Sequence, residues 1–538
     1  MKTMLRLIRV SLILATATLA MAQHHHEATG SEKPVALMQG LGNWHHPIAT
    51  HNPEAQKFFD QGLALLYGFN KYESLRSFRK ASELDPHAAM AFWGMAMALG
   101  PYINMDGDSD VKLKESCAAV QAGLRVAANG SIDRAWLEAA GTRCPDFADP
   151  SKYSRAMHDL AARLPDDPDA QTLYAEALMI PVRWHWYGID GKPAAGVPEA
   201  ERTLEAVLRR YPQHPGANHF YIHAVESSPT PERAVPSAQR LMGIVPAAGH
   251  IVHMPGHIWL VLGDFNNTIA VNERAVAVDR QYFEQTGVSS AYGMYYMHNL
   301  QFIVYTRGMQ GHAADSKKAV REMSAVLKDM APAMAEMADV ISSWLTLAQV
   351  RSRLFDDVLA SPQPKNVPGA IAMWHAARAL AFAGKAQPNE ARKEQAEFER
   401  LRKSMDRSGY WSTNKLADVV DFASAALAAR LESSPAKAVP LWKKALAMQD
   451  ALVYDEPPAW YYPLRESLGA SLLLSGDAAG AEAVFREGVR RSPNNGRMLF
   501  GLLESLKAQK KTDAAAWVQR EFDSAWKGAD IQLRITDL

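Results

Sequence analysis

Beyond about residue 53 the chain carries apolar residues at helical spacing, with small residues among them at fixed offsets. Counting Ala55 as position 1 puts Phe58 at 4, Gly62 at 8, Leu65 at 11, Ser74 at 20, Phe78 at 24, Ala81 at 27 and Pro86 at 32. Glycine at 8 and small residues at 20 and 27 let two successive helices approach closely, and proline at 32 closes the unit. The offsets return late in the chain. With Tyr462 at 1, Leu468, Gly469, Leu472, Gly476, Ala481, Phe485 and Pro493 fall at 7, 8, 11, 15, 20, 24 and 32. Between these ends, AMAFWGMAMALGPYIN, IDRAWLEAA and the run from Ser151 through LPDDPDAQTLYAEALM read as helices, while RWHWYGIDGKPAAGVP reads as a long connection. Residues 313–358 continue helically, SPQPKNVPG (361–369) is the candidate boundary, and RMLFGLLESL with AAAWVQREFDSAW supply a last repeat and cap.

A 34-residue helix–turn–helix unit is the tetratricopeptide repeat. The pattern therefore predicts an all-α solenoid of that type, a right-handed superhelix. An irregular segment (23–52) precedes an array at 53–358, and a second array occupies 370–538.

Two repeats in the middle carry unusual chemistry. Framing from Pro215 places Ala234, Ala238 and Pro246 at 20, 24 and 32; framing from Gly249 places Gly256, Trp259, Gly263, Phe265 and Ala275 at 8, 11, 15, 17 and 27. His219 and His223 then occupy positions 5 and 9 of one repeat, and His253 and His257 the same positions of the next. Side chains four apart share a helix face. His185 also lies 34 residues before His219, but it sits at the edge of a loop, and the spacing is read as coincidence. In tetratricopeptide proteins as a family, positions 2, 5, 9 and 12 of the first helices point into a concave groove. That resemblance implies a groove receiving His219, His223 and Glu226 from one helix and His250, His253 and His257 from the next. A third repeat, shifted by an insertion at about 283–296 and framed from Met297, puts His298 at position 2, like His250. Pro255 falls inside the second helix, where it should kink the chain and free the carbonyl of Ile251.

Composition narrows the reading. Fifty-eight basic residues balance 58 acidic ones, and no basic stripe argues for nucleic acid. The opening MKTMLRLIRVSLILATATLAMAQ has Lys2, Arg6 and Arg9, an apolar run and a small-x-small ending at Ala20-Met21-Ala22. It reads as a signal peptide cleaved after Ala22, and no later run is long enough to span a membrane, so the expected compartment is periplasmic or secreted. Cleavage there would place His25 third from a free amino terminus, a Cu(II) or Ni(II) chelating position that cyclisation of Gln23 would block, and a disordered His-rich leader is the favoured reading. Cys117 and Cys144, 27 apart beside consecutive helices, can pair in such a compartment or pack as buried thiols. Asn104, Asp106, Asp108, Asp110 and Glu115 imitate a calcium loop, but Ser109 replaces its glycine, so a solvated loop leading into a helix near Val111 is expected.

Taken together, AQKFFDQGLALLYGFN, FWGMAMALGPYIN, HPGANHFYIHAVESSPTPERA, GHIVHMPGHIWLVLGDF, MYYMHNLQF and DEPPAWYYPLRESLG resemble a family of exported bacterial tetratricopeptide proteins over roughly 40–530. The resemblance implies fold and compartment and names no reaction; its His-rich strings match here at His214, His219, His223, His250, His253, His257 and His298. Lys71 stands where the family would be expected to carry a histidine after GFN, which removes that position as a ligand.

Imidazole at positions 5 and 9 answers no packing need of a helical array, and neutral imidazole is the commonest protein metal ligand. A pair four apart can hold one ion at ~2.0–2.1 Å. Nitrogen donors suit copper, zinc, iron or nickel rather than calcium or magnesium. Two chemistries follow. Six nitrogens are enough for a dinuclear copper site that activates dioxygen, whereas His219, His223 and Glu226 form a two-histidine, one-carboxylate set for zinc or iron, with Glu226 a candidate general base. HExxH, GxSxG, Walker and GxGxxG elements do not occur in a supporting context. The competing reading is a scaffold whose groove binds a peptide or protein, with Tyr295, Tyr296, Trp460, Tyr462 and Arg465 as groove residues, the last three from DEPPAWYYPLR. In a third, the histidines knit adjacent helices by hydrogen bonds and bind nothing.

Overall fold

The computed structural model describes residues 32–105, 110–288, 292–330 and 334–538. The leader-like segment, His25, and Asp106, Asp108 and Ser109 of the acidic loop lie outside the described residues.

Local chemistry sets the first hairpin. Asn52 caps the helix Pro53–Tyr67 by accepting from the backbone N–H of Glu54 and Ala55, and Pro53 sits in the first turn, where its missing N–H costs nothing. Phe69 turns the chain at φ +56°, and Asn70 caps Lys71–Leu84 through the N–H of Glu73. The two helices then meet as the repeat pattern requires. A Cβ on Gly62 would lie 2.7 Å from the Phe78 ring, and Ser74 Oγ donates to the Gly62 carbonyl at 2.7 Å. Positions 8, 20 and 24 thus form a single contact. Burying a phenylalanine such as Phe78, which is fully enclosed, contributes about 1.5–3 kcal/mol.

Hairpins of this kind follow one another among the described residues: Pro168–Met179 packs on Val197–Arg210 and Pro215–Glu226 on Val235–Ile244. The molecule is all-α, a tetratricopeptide-type array of helix pairs. Among the described residues the only paired strands are Tyr410–Trp411 and Asn414–Lys415, a two-residue antiparallel ribbon.

The chain divides into two compact units. One comprises 32–258 and 270–299, and the other 259–269 and 300–538. In the first, Cys117 on the helix Asp110–Val126 is disulfide-bonded to Cys144 just past Ile132–Gly141, with Cα atoms 5.8 Å apart. A bridge closing a loop of that order stabilises by roughly 3 kcal/mol in the chain-entropy picture. The connection at 183–196 is irregular apart from one bridge between Tyr187 and Pro193. At Pro255 the helix breaks, as its missing N–H requires: Gly249–His253 ends at Met254, Pro255–Val261 begins, and the His257 N–H bonds to the Met254 carbonyl.

In the second unit the repeat contact recurs, since a Cβ on Gly469 would lie 2.6 Å from the ring of Phe485. The Pro-rich stretch 361–369 joins Phe355–Ala360 to Pro368–Gly384 inside this unit. Among the described residues no helix is long and apolar enough to cross a membrane.

The glycine contacts generate a direct expectation. Gly62→Ala and Gly469→Ala each push a methyl into an aromatic ring on the facing helix, and each is expected to lower stability by about 1–3 kcal/mol in urea unfolding. A loss of only a few tenths would mean that the rings turn aside at no cost.

Candidate metal centre

The helix Pro215–Glu226 begins where proline can begin a helix, and it is buried along its whole length. His214 is its cap rather than a ligand, with Nδ1 accepting the Ala217 N–H at 3.1 Å. Along the helix, His219, His223 and Glu226 follow one another at spacings of four and three and so share a face. The next helix brings His250 and His253 before the proline break and His257 after it. The Tyr292 hydroxyl accepts the His250 backbone N–H at 2.9 Å. Gly293–Gln310 contributes His298.

All six histidines and Glu226 meet within the first unit. The candidate ligand atoms of His219, His223 and His250 lie within 4.8 Å of one another, and so do those of His253, His257 and His298. The triads adjoin, with ring centroids 5.7 Å apart for His223–His257 and also for His250–His253. Five of the six rings are buried to within 1 % of full enclosure, while His298 is half-buried.

Four of the rings have Nδ1 held by an oxygen. His219 Nδ1 donates to the Tyr67 carbonyl at 2.6 Å and His253 Nδ1 to Asn272 Oδ1 at 2.6 Å. Glu226 takes two, from His223 Nδ1 at 3.0 Å on one oxygen and from His257 Nδ1 at 2.6 Å on the other. Oxygen partners of this kind fix the tautomer and turn Nε2 toward the centre. The Nε2 atoms of His253 and His257 then face each other at 2.6 Å. His219 Nε2 and both ring nitrogens of His250 are buried without a hydrogen-bond partner.

Burial disfavours the charged form of three of these rings. Burial, with His223 next to it, depresses His219 well below the ordinary imidazole value; burial and then His219 do so for His250; burial, His257 and His298 do so for His253. A set of converging, nitrogen-donating side chains has the chemistry of a transition-metal site.

No protein-family model matches the sequence, and no curated protein does. Among solved structures, yeast Tom70 aligns at 11 % identity over 87 % of this chain and 90 % of that one, with a TM-score of 0.29. The TPR domain of P58(IPK) aligns at 12 % identity over 85 % and 99 %, with a TM-score of 0.21. The human IFIT1 dimer with PPP-AAAA aligns at 11 % over 86 % and 89 %, with a TM-score of 0.33. At these scores the similarity adds no weight to the fold, which rests on the repeat contacts themselves. The fold is of the tetratricopeptide type.

Within that repeat the centre has a recognisable origin. In the frame from Gly249, position 24 is Asn272, buried where other repeats carry Phe78 or Phe485. It keeps the repeat contact, since a Cβ on Gly256 at position 8 would lie 2.7 Å from its amide, and it adds an acceptor for His253. A polar residue at an aromatic position was a signal available in the sequence. Phe69, whose ring is tilted against His219 at 4.4 Å and stacked on His250 at 5.2 Å, and the Tyr67 carbonyl had no such signal.

The proposed groove residues are occupied within the protein. The Tyr295 ring lies 4.4 Å from His250 and its hydroxyl is 2.8 Å from that of Tyr102, while Tyr296 accepts from Arg280 Nε at 3.0 Å. In the second unit Trp460 is buried, Tyr462 bonds Ser467 Oγ at 3.0 Å, and Arg465 spans both oxygens of Asp450 at 2.8 and 2.6 Å.

Behind the first triad lies a buried carboxylate. Asp169 accepts from Trp44 Nε1 at 3.0 Å, His46 Nδ1 at 2.9 Å and the Tyr67 hydroxyl at 2.5 Å, and His214 Nε2 is 3.2 Å away. It thereby anchors the tyrosine whose carbonyl orients His219. His46, Asp167 and Asp169 also converge, but Asp169 is saturated and Asp167 caps Pro168–Met179 through Asp169 N–H and Ala170 N–H, so the group is structural. Burial opposes the charge on Asp169, yet hydrogen bonds from His214 and His46 outweigh it and hold the carboxyl far below its usual range. Burial likewise opposes charge on His46, but the Asp169 bond wins and raises it.

His46 therefore adds stability that is complete below about 6.5 and fades as pH rises through its folded value, whereas Asp169 adds stability complete above about 4 and lost as pH falls through its folded value. The pair contributes most between roughly pH 4 and 6.5. Asp169→Asn is expected to cost about 3–5 kcal/mol there, and its deficit in melting temperature should be larger at pH 5.5 than at pH 8.5. Equal deficits at both pH values would rule out the charged pair.

Proposed function

We propose that this protein is an exported tetratricopeptide-type metalloprotein that holds a transition metal (copper, zinc or iron) in its histidine centre. The facing Nε2 atoms of His253 and His257 carry this reading. With Nδ1 protonated and committed to Asn272 and Glu226, each Nε2 turns a lone pair toward the other at 2.6 Å, and a cation bound by both, a metal at ~2.0–2.1 Å to one side of the line joining them, relieves their repulsion. A proton is disfavoured near neutral pH, because burial and the neighbouring rings depress His253. A metal ion is the cation that suits the site.

The partnerless nitrogens of His219 and His250 support the same reading. Each costs about 1–3 kcal/mol when left unsatisfied, and coordination relieves that cost. Glu226 then acts as a positioning residue. It holds His223 and His257 from behind, and such outer partners are worth about 10–100-fold in metal affinity. The leader-like residues 1–22 support export. When bound, the metal would supply Lewis-acid or redox chemistry beside His298, the least enclosed of the six histidines.

The repeat fold also suits a scaffold for a protein or peptide partner. Elemental analysis of protein purified without a histidine tag from a bacterial periplasm separates the readings. Wild type should carry stoichiometric metal, and a His219→Ala/His253→Ala variant should lose it while keeping its helical circular dichroism. Absence of metal from wild type, even after reconstitution, would overturn the metalloprotein and leave the scaffold.

A further inference from the structure

We propose that the six histidines form two adjoining three-nitrogen sites for a pair of copper ions, an inner one enclosed by protein and an outer one nearer to solvent at His298. This rests on the metalloprotein reading and adds number, identity and division of labour.

The number follows from the grouping. Each triad gathers three ligand atoms within 4.8 Å, and no histidine is shared between them. Each takes its rings from more than one helical segment: His219 and His223 with His250 in one, and His253, His257 and His298 in the other. Glu226 links the two without entering either set, since its oxygens bond the Nδ1 atoms of His223 and His257, one ring from each. A shared carboxylate behind both triads ties their geometries together.

The identity follows from the donors. Both triads are all-nitrogen, and Glu226 is turned to the backs of two of their rings. Hard dications favour oxygen ligands, iron sites usually include a carboxylate, and copper binds nitrogen donors most tightly of the first-row series. Cuprous ions also bring half the charge of zinc into a buried place, and uncompensated buried charge is costly.

The division follows from burial. His219, His223 and His250 are enclosed, and Phe69 covers all three, stacked on His223 and His250 at 5.9 and 5.2 Å and tilted against His219 at 4.4 Å. In the outer triad His298 is half-buried, the least enclosed of the six, so this triad is the one nearer to solvent. Three protein ligands with an open position are the arrangement that lets a metal take up a small molecule. The outer copper is therefore the one that binds a small oxygen- or nitrogen-donor ligand.

The full chain, loaded anaerobically with cuprous ion and freed of excess, should hold two coppers. X-ray absorption of the wild type should show three imidazole nitrogens per copper and a neighbouring copper. His219→Ala and His298→Ala should each hold one. After oxidation, added azide should give a charge-transfer band in wild type and His219→Ala that is lost in His298→Ala. One copper per wild-type chain, or zinc or iron displacing copper in competition, would overturn the pair while leaving a metalloprotein; no metal of any kind would overturn both. The X-ray absorption needs no substitution, so poor folding of a variant leaves the test intact.

Discussion

A glycine at position 8 of the first helix lying against position 24 of the second sets the geometry of three of the helix pairs, those of Gly62, Gly256 and Gly469. With Phe78 or Phe485 at 24 the contact is a packing joint, closed by a ring that leaves no room for a Cβ on Gly62 or Gly469. With Asn272 at 24 the backbone approach is kept and the interior gains an amide oxygen 2.6 Å from His253. The centre is thus built by changing the chemistry of a structural position without changing its geometry. Close-packed interiors tolerate this because Asn272 still fills the joint, and its amide is satisfied by a ring rather than left bare.

The same economy governs the carboxylates. Asp169 and Glu226 are both buried, and each is surrounded by donors: indole, hydroxyl and imidazole at Asp169, two imidazoles at Glu226. A buried charge without partners would be lost to protonation. Here the charges orient rings. Asp169 holds Tyr67, whose carbonyl holds His219, while Glu226 holds His223 and His257 directly. The histidines are therefore aimed by an outer layer before any ion is considered, which is how affinity is gained without reorganisation.

Periodicity made the hairpins legible, since Gly62, Ser74, Phe78, Gly469 and Phe485 meet as their offsets require, and it made the break at Pro255 legible for the local reason that proline has no N–H. It also placed the six histidines on facing helices. It did not reveal that Trp460, Tyr462 and Arg465 are enclosed and bonded within the second unit, because an aromatic run at a helix entrance looks the same whether it faces solvent or a neighbour.

By itself the sequence determined the class of the protein and the membership of the cluster, because helix faces and a 34-residue offset are properties of short stretches repeated. Only the tertiary structure decided which nitrogen points inward on four of the rings, how the six divide into triads, that Glu226 lies behind two of them, and that Cys117 bonds Cys144. These depend on contacts such as Tyr67 to His219, 152 residues apart, and no local pattern encodes which distant backbone carbonyl a buried imidazole will meet.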